Sequence, residues 1–471
     1  MENDSGENPT KVNKYACACA IVASMISIIF GYDTGVMSGA MIYVKKEFQI
    51  NDAKTEILAG ILNLCALVGS LCAGRTSDKI GRRNTIMVAS VIFMIGSILM
   101  GYGPSYIALL VGRCIAGVGV GFALMIAPIY SAEVSSPSSR GFLTSLPEIG
   151  ISIGIAAIPS LFLAIGILKM PESPRWLIMQ GRVGEAKKIL YKVSNSPQEA
   201  EIRLRDIKEA VGIDENCNDD IVKVPESAQT HGVWKELLLK PTPSLRWILI
   251  AGVGIHFFEH ATGIEAVILY SHKIFAKAGV HDTRKQILAT VGVGLTKFTF
   301  IVLSTFLIDR VGRRKLLLTS LSGMVVTLAG LGFFLTIAEN SGGTLIWALV
   351  LSIVTTYAVV MFFNIGLGPV TWVYSTEIFP LRYRALGAGI GVAVNRLMNA
   401  TVSMSFLSIS EAITTGGAFF MFAGVSLVAL IFFYFMCPET KGKSLEEMES
   451  VFTKANPQKI STNRHLRACR S

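Results

Sequence analysis

Uncharged apolar runs recur along almost the whole chain, and most are about as long as the ~20 residues that a helix needs to cross a bilayer's hydrocarbon core. They show no two-residue alternation and no narrow apolar stripe, so they read as helices apolar on all sides. Lipid then dictates the rest. A spanning helix satisfies its own backbone hydrogen bonds, and open strands do not. With charged residues as boundaries, the runs fall near 15–41, 57–74, 85–103 and 107–132, followed by a single stretch between Arg140 and Lys169. Six more lie near 247–270, 287–308, 316–338, 344–375, 385–410 and 412–437. The expected fold is an all-α polytopic membrane protein with about 11 apolar segments.

Lys and Arg cluster in short loops beside these runs, which places those loops on the cytoplasmic side. The net charge of +10 is therefore an orientation signal, and nucleic acid is not an expected partner. The expected organisation is a cytoplasmic tail at 1–14, an N-terminal bundle at 15–169, a cytoplasmic linker with short helices at 170–246, a C-terminal bundle at 247–437 and a cytoplasmic tail at 438–471. No cleavable signal precedes the first run, which is expected to be a retained span. The eight cysteines lie mostly inside apolar runs without metal-site or disulfide spacing, and no phosphate loop, HExxH or nucleophile elbow occurs. Neither an enzyme nor a cofactor or metal site is expected.

Three motifs occur twice, in the same order. GRTSDKIGRR at 74–83 is echoed by DRVGRR at 309–314, YSAEVSSPSSRG at 130–141 by YSTEIFPLRYRALG at 374–387, and PESPR at 171–175 by PETKG at 438–442. Parallel halves joined by a cytoplasmic linker suit a secondary transporter that rocks about a central site better than they suit an open pore. In each loop motif an acid ends one helix and arginines begin the next. Asp78 with Arg82 and Arg83, and Asp309 with Arg313 and Arg314, can latch helix ends in one conformation and release them in another. The repeated acid and base Glu133 and Arg140, and Glu377 and Arg384, join this gating set.

These loops, PESPRWL at 171–177, GPVTWVYSTEIFP at 368–380 and PETKG resemble the sugar porter family of the major facilitator superfamily. GYDTGVMSGA at 31–40 and SLEEME at 444–449 are similar to plant polyol and monosaccharide proton symporters. The resemblance implies a 12-helix plan of two pseudo-repeated bundles that carries a small polyhydroxy solute with protons by alternating access. It also implies a monomer, in the plasma membrane more than the vacuolar membrane.

Asp33, in the middle of the first run, is an intramembrane acid and so a functional candidate on physical grounds. The resemblance makes it the proton carrier, with Arg113 as its partner. For the solute, hydroxyls stripped of water need polar side chains, and their C–H faces need an aromatic. The run FFEHATGIEAVILY at 257–270 offers Glu259, His260, Glu265 and Tyr270. By resemblance Trp372, Asn399 and Glu148 complete the pocket. Glu259 stands where relatives usually carry an amide, and Lys297 and Arg396 are cations inside apolar runs that could pair with Glu259 or Glu265.

The repeat also exposes a deficit. Two spans occupy the second half between Arg384 and Pro438, but only 28 residues lie at 141–168, fewer than the ~40 that two helices and a turn require. A bent re-entrant hairpin that keeps the linker cytoplasmic is the favoured topology, with the missing residues placed near Gly154 and Ile155. With this topology the chain as written is expected to transport poorly or not at all, and a non-transporting sensor or truncated form is the alternative to a carrier.

Overall fold

The computed structural model describes residues 13–25, 44, 47–50, 52–103, 105–136, 139–145, 170–214, 219–222, 224, 233–239, 241–280, 282–340 and 345–443. Asp33, Glu148 and most of the short stretch at 141–168 lie outside the described residues. In the first half, α1 (Lys14–Met25) begins at Asn13, whose side-chain oxygen accepts from the N–H groups of Tyr15 and Ala16. It is followed by α2 (Asp52–Ile80), α3 (Arg82–Tyr102) and α4 (Tyr106–Val134), with a further helical turn at 140–145.

Among the described residues, four short helices lie in the connection between halves: α5 (Pro174–Met179), α6 (Val183–Val193), α7 (Pro197–Val211) and α8 (Val233–Leu238). Ser173 and Ser196 cap α5 and α7, each with proline in the first turn, where its missing N–H costs nothing. The second half holds α9 (Pro243–Ala261), α10 (Ile264–Leu269), α11 (Ser271–Ala278), α12 (Thr283–Val311), α13 (Arg313–Asn340), α14 (Ile346–Ile365), α15 (Leu367–Ile378), α16 (Arg384–Ile413) and α17 (Thr415–Met436).

Among the described residues, seven helical stretches are long and apolar enough to cross a membrane, and α2 and α16 match them in length. Burial sorts these helices by position. Only 22% of the most apolar window of α3 is buried against protein, against 67% for α4. Met94, Ile98, Val326, Phe333 and Phe435 stand exposed on outer helices, where hydrocarbon replaces a protein neighbour. Helices α4, α9 and α15 are inner, and α15 is buried along its whole length.

Each half has its own apolar core, one around Val120, Ile126 and Tyr130 and one around Phe275, Leu321 and Phe379. Trp372, Ala388 and Val392 of the second half complete the first core, so the halves share packing. The linker helices form a third cluster around Trp176, Leu190 and Leu204, which takes in Leu381 from the loop before α16.

Candidate functional site

The duplicated motifs meet at one end of the molecule, and their two copies make the same contacts. Arg82 is fully buried, with Nε 3.0 Å from Glu133 and Nη1 3.4 Å from Asp78. Arg313 repeats this arrangement, 2.8 Å from Glu377 and 3.0 Å from Asp309. Arg82 also donates to the Ser77 carbonyl and Arg313 to that of Ile308, each at 3.2 Å. Buried ion pairs of this kind persist where extra hydrogen bonds saturate the carboxylates. Ser173 donates to Glu133 at 2.5 Å and Thr440 to Glu377 at 2.7 Å.

The third repeated motif explains the first. Glu172 accepts from the backbone N–H groups of Arg82 and Arg83, and Glu439 from those of Arg313 and Arg314, so each acid caps the helix that its loop motif begins. Burial raises the Glu172 carboxyl above its ordinary pKa, against these donated bonds, which lower it. The glycine before each helix is obligatory. Gly81 and Gly312 have φ of 93° and 101°, and a Cβ there would fall 2.4 and 2.6 Å from the capping carboxylates.

Contacts then cross from half to half. Arg384 lies 3.6 Å from Glu133, both fully buried. Asp309 accepts from the backbone N–H groups of Gly141 at 3.1 Å and Phe142 at 2.8 Å, and Arg140 donates to the Lys443 carbonyl. This end is closed. The expected gating residues therefore form one layer, with two refinements. Arg83 contributes its backbone N–H to the Glu172 cap, and the Arg314 guanidinium turns to the end of α17, donating to the Tyr434 carbonyl at 2.7 Å over that ring.

Halfway along the helices a second polar group is buried. His256, Glu259 and His260 share a face of α9, three and four residues apart. The chain breaks at Thr262 and Gly263 before α10, an interruption that suits a transporter's solute site. Asn395 of α16 is the hub: its Nδ2 donates to Glu259 at 2.5 Å, and its Oδ1 accepts from Arg396 Nε at 2.9 Å and lies 3.1 Å from His260 Nε2. Arg396 also reaches His260 Nε2 at 3.3 Å, while His260 Nδ1 faces Glu265 at 3.4 Å.

A protonated His260 ring donates toward Glu265 and Asn395. A neutral ring with its proton on Nδ1 donates toward Glu265 and leaves Nε2 to accept from Arg396. Trp372 lies edge-on to His256 at 5.3 Å.

Of the sequence candidates, Glu259, His260, Glu265, Trp372 and Asn399 are gathered here, and Asn399 joins through Asn63. Tyr270 is turned to α16, donating to the Ser403 carbonyl at 2.7 Å and stacking on Phe406. Arg396 is hydrogen-bonded into the group, and Asn395 links it to Glu259; Lys297 stands half-buried on α12. Arg113 is buried on α4. Sequence reading missed His256, Asn395 and Asn63, although each is a polar side chain within an apolar run, the signal by which Arg396 was noticed.

The profile of the family described as "Sugar (and other) transporter" matches residues 19–157 and 151–452. The chain belongs to this family. Among curated relatives of this sugar transporter family member, "Probable polyol transporter 6" of Arabidopsis thaliana is 63% identical, over 95% of this chain and 96% of that protein. "Polyol transporter 5" of the same plant is 53% identical, over 97% and 91%.

Among solved structures, the proton:xylose symporter XylE bound to 6-bromo-6-deoxy-D-glucose has a TM-score of 0.81 at 25% identity, covering 94% of this chain and 100% of that one. The inward-open conformation of XylE from E. coli gives 0.62 at 25% identity, over 92% and 98%. The family member is thus an all-α multi-pass membrane protein of the major facilitator fold, and not an enzyme.

Proposed function

We propose that this chain carries a small polyol or monosaccharide together with a proton by alternating access, as a monomer in the plasma membrane. The observation that carries the reading is the buried group of Glu259, His260, Asn395, Asn399 and Trp372, midway along helices whose ends are latched by the duplicated ion pairs. Carboxylate and amide groups replace the hydration of solute hydroxyls, and Trp372 supplies an apolar face. The names of the plant relatives and of the xylose symporter support the solute class and the proton.

Asp33 and Arg113 are proposed as the proton-coupling pair and Glu148 as a pocket residue, on the family resemblance. Expressed in yeast lacking its own hexose uptake, the chain should accumulate labelled polyol in a protonophore-sensitive way. Asp33→Asn should abolish accumulation and leave downhill exchange. Accumulation by Asp33→Asn at the parental level would remove Asp33 from the mechanism.

A second reading has its own support. The two family matches meet at 151–157, within the stretch that is too short for two spans. On that reading the N-terminal bundle is shortened at 141–168, and the chain is a weak or non-transporting form. Absence of uptake with normal surface abundance selects it.

A further inference from the structure

Helices α2 and α16 form a seam between the two halves. Near the cytoplasmic end they meet through small residues: a Cβ on Gly74 would come 3.0 Å from the Ala385 carbonyl oxygen, and one on Gly389 2.9 Å from that of Ser70. Nearer the other end, Gly60 packs against Met404. Between these two packed zones the seam is polar. Asn63 Oδ1 accepts from Arg396 Nη1 at 3.4 Å, and Asn63 Nδ2 donates to Asn399 Oδ1 at 3.1 Å.

Asn63 is the first-half side chain in these two bonds, and the same Arg396 bonds Asn395 and His260 behind it. Arg396 lies twelve residues into α16 from Arg384, roughly 18 Å at the helical rise, so the bridge sits near the depth of the solute site and not in the ion-pair layer.

We propose that Asn63 is a positioning residue through which the Glu259–Asn395–Arg396–His260 group biases the rocking of the two halves. The inference rests on the transport reading for its purpose, but its geometry is independent of which solute is carried. Whatever reorganises Arg396, whether a hydroxyl taking its hydrogen bonds or a proton arriving at His260, alters the hold on Asn63. The seam is then free to pivot between its two packed zones. The bridge is made in a conformation whose cytoplasmic end is closed, so weakening it favours the open end and strengthening it favours the closed one.

The test uses substitutions of opposite sign. Asn63→Ala removes both bonds, and Asn63→Asp gives up the bond donated to Asn399 but converts the Arg396 contact into an ion pair. A Ser70→Cys reporter, buried in the cytoplasmic half of the seam, is labelled with an impermeant maleimide from the cytoplasmic side and followed by site-resolved mass spectrometry.

Asn63→Ala should raise the labelling rate about tenfold and Asn63→Asp should lower it by a similar factor, as expected for a charge-assisted bond lost or gained. Asn63→Gln, which keeps an amide, should recover at least part of the parental rate. Equal labelling in all variants, or a shift of the same sign in Ala and Asp, would overturn the proposal, because a purely structural role damages both alike. The labelling needs no solute. Signed labelling shifts in a chain that takes up no polyol would leave this inference standing and count against the transport reading.

Discussion

Trp372 and Glu172 illustrate how single side chains divide between packing and chemistry. Trp372 belongs to the apolar core of the first half while its ring meets His256, so truncation to alanine would mix a core defect of about 3–5 kcal/mol with any loss of solute contact. Trp372→Phe keeps most of the packing. It should raise the apparent KM for polyol severalfold at near-normal abundance, and an unchanged KM would return Trp372 to a packing role. Glu172 caps α3 although burial penalises its ionised form. A neutral carbonyl can accept the same N–H bonds, so Glu172→Gln should cost under about 1 kcal/mol and Glu172→Ala about 1–2 kcal/mol, read by thermal unfolding in detergent. What the sequence disclosed at this scale followed charge. Asp78, Arg82, Glu133, Asp309, Arg313 and Glu377 were legible because ions beside lipid are rare and these recur in order. Asn63 and Asn395 were not, because an amide inside an apolar run looks like any small polar residue until its partners, more than 300 and more than 130 positions away in sequence, are known.

Among the elements, the spans were readable from hydropathy, and their ends from charge and glycine. Helix α3 begins directly after Gly81 and α13 directly after Gly312, because no other residue fits that backbone beside the capping acid. Gly81→Ala and Gly312→Ala should each destabilise the chain by about 1–3 kcal/mol through backbone strain, before any clash with the carboxylate is counted. If thermal unfolding of both variants were unchanged, the capping geometry would be wrong. The linker helices were foreseeable as short amphipathic pieces, but their docking was not, since surface helices carry no address for their partner. Helix α8 reaches both halves. Trp234 lies under the Arg75 guanidinium at 5.2 Å, Glu236 pairs with Arg382 at 2.9 Å and accepts from the Tyr383 hydroxyl, and Leu237 packs on Leu245 and Leu386. Removing both polar holds with Trp234→Ala and Glu236→Ala should favour opening of the ion-pair end, by about 1–2 kcal/mol together. The Ser70→Cys reporter measures it, and an unaltered labelling rate would make α8 a passive connector.

For the whole molecule, the repeat was the most informative sequence feature, since its paired motifs come together in one ion-pair layer. It also located the short stretch at 141–168. Restoring about two dozen family-like residues there should raise uptake severalfold at matched surface abundance, and equal uptake by both versions would mean the short form is competent. Glycosylation tags in the linker and C-terminal tail should stay unmodified if both are cytoplasmic. One feature of the closed end bears on how fast such a molecule can cycle. Glu133 serves two arginines, Arg82 from its own half and Arg384 from the other, and accepts from Ser173 as well. When the halves part, the acid keeps Arg82 and the serine, so opening strands no carboxylate in a dry site, a situation that would cost several kcal/mol.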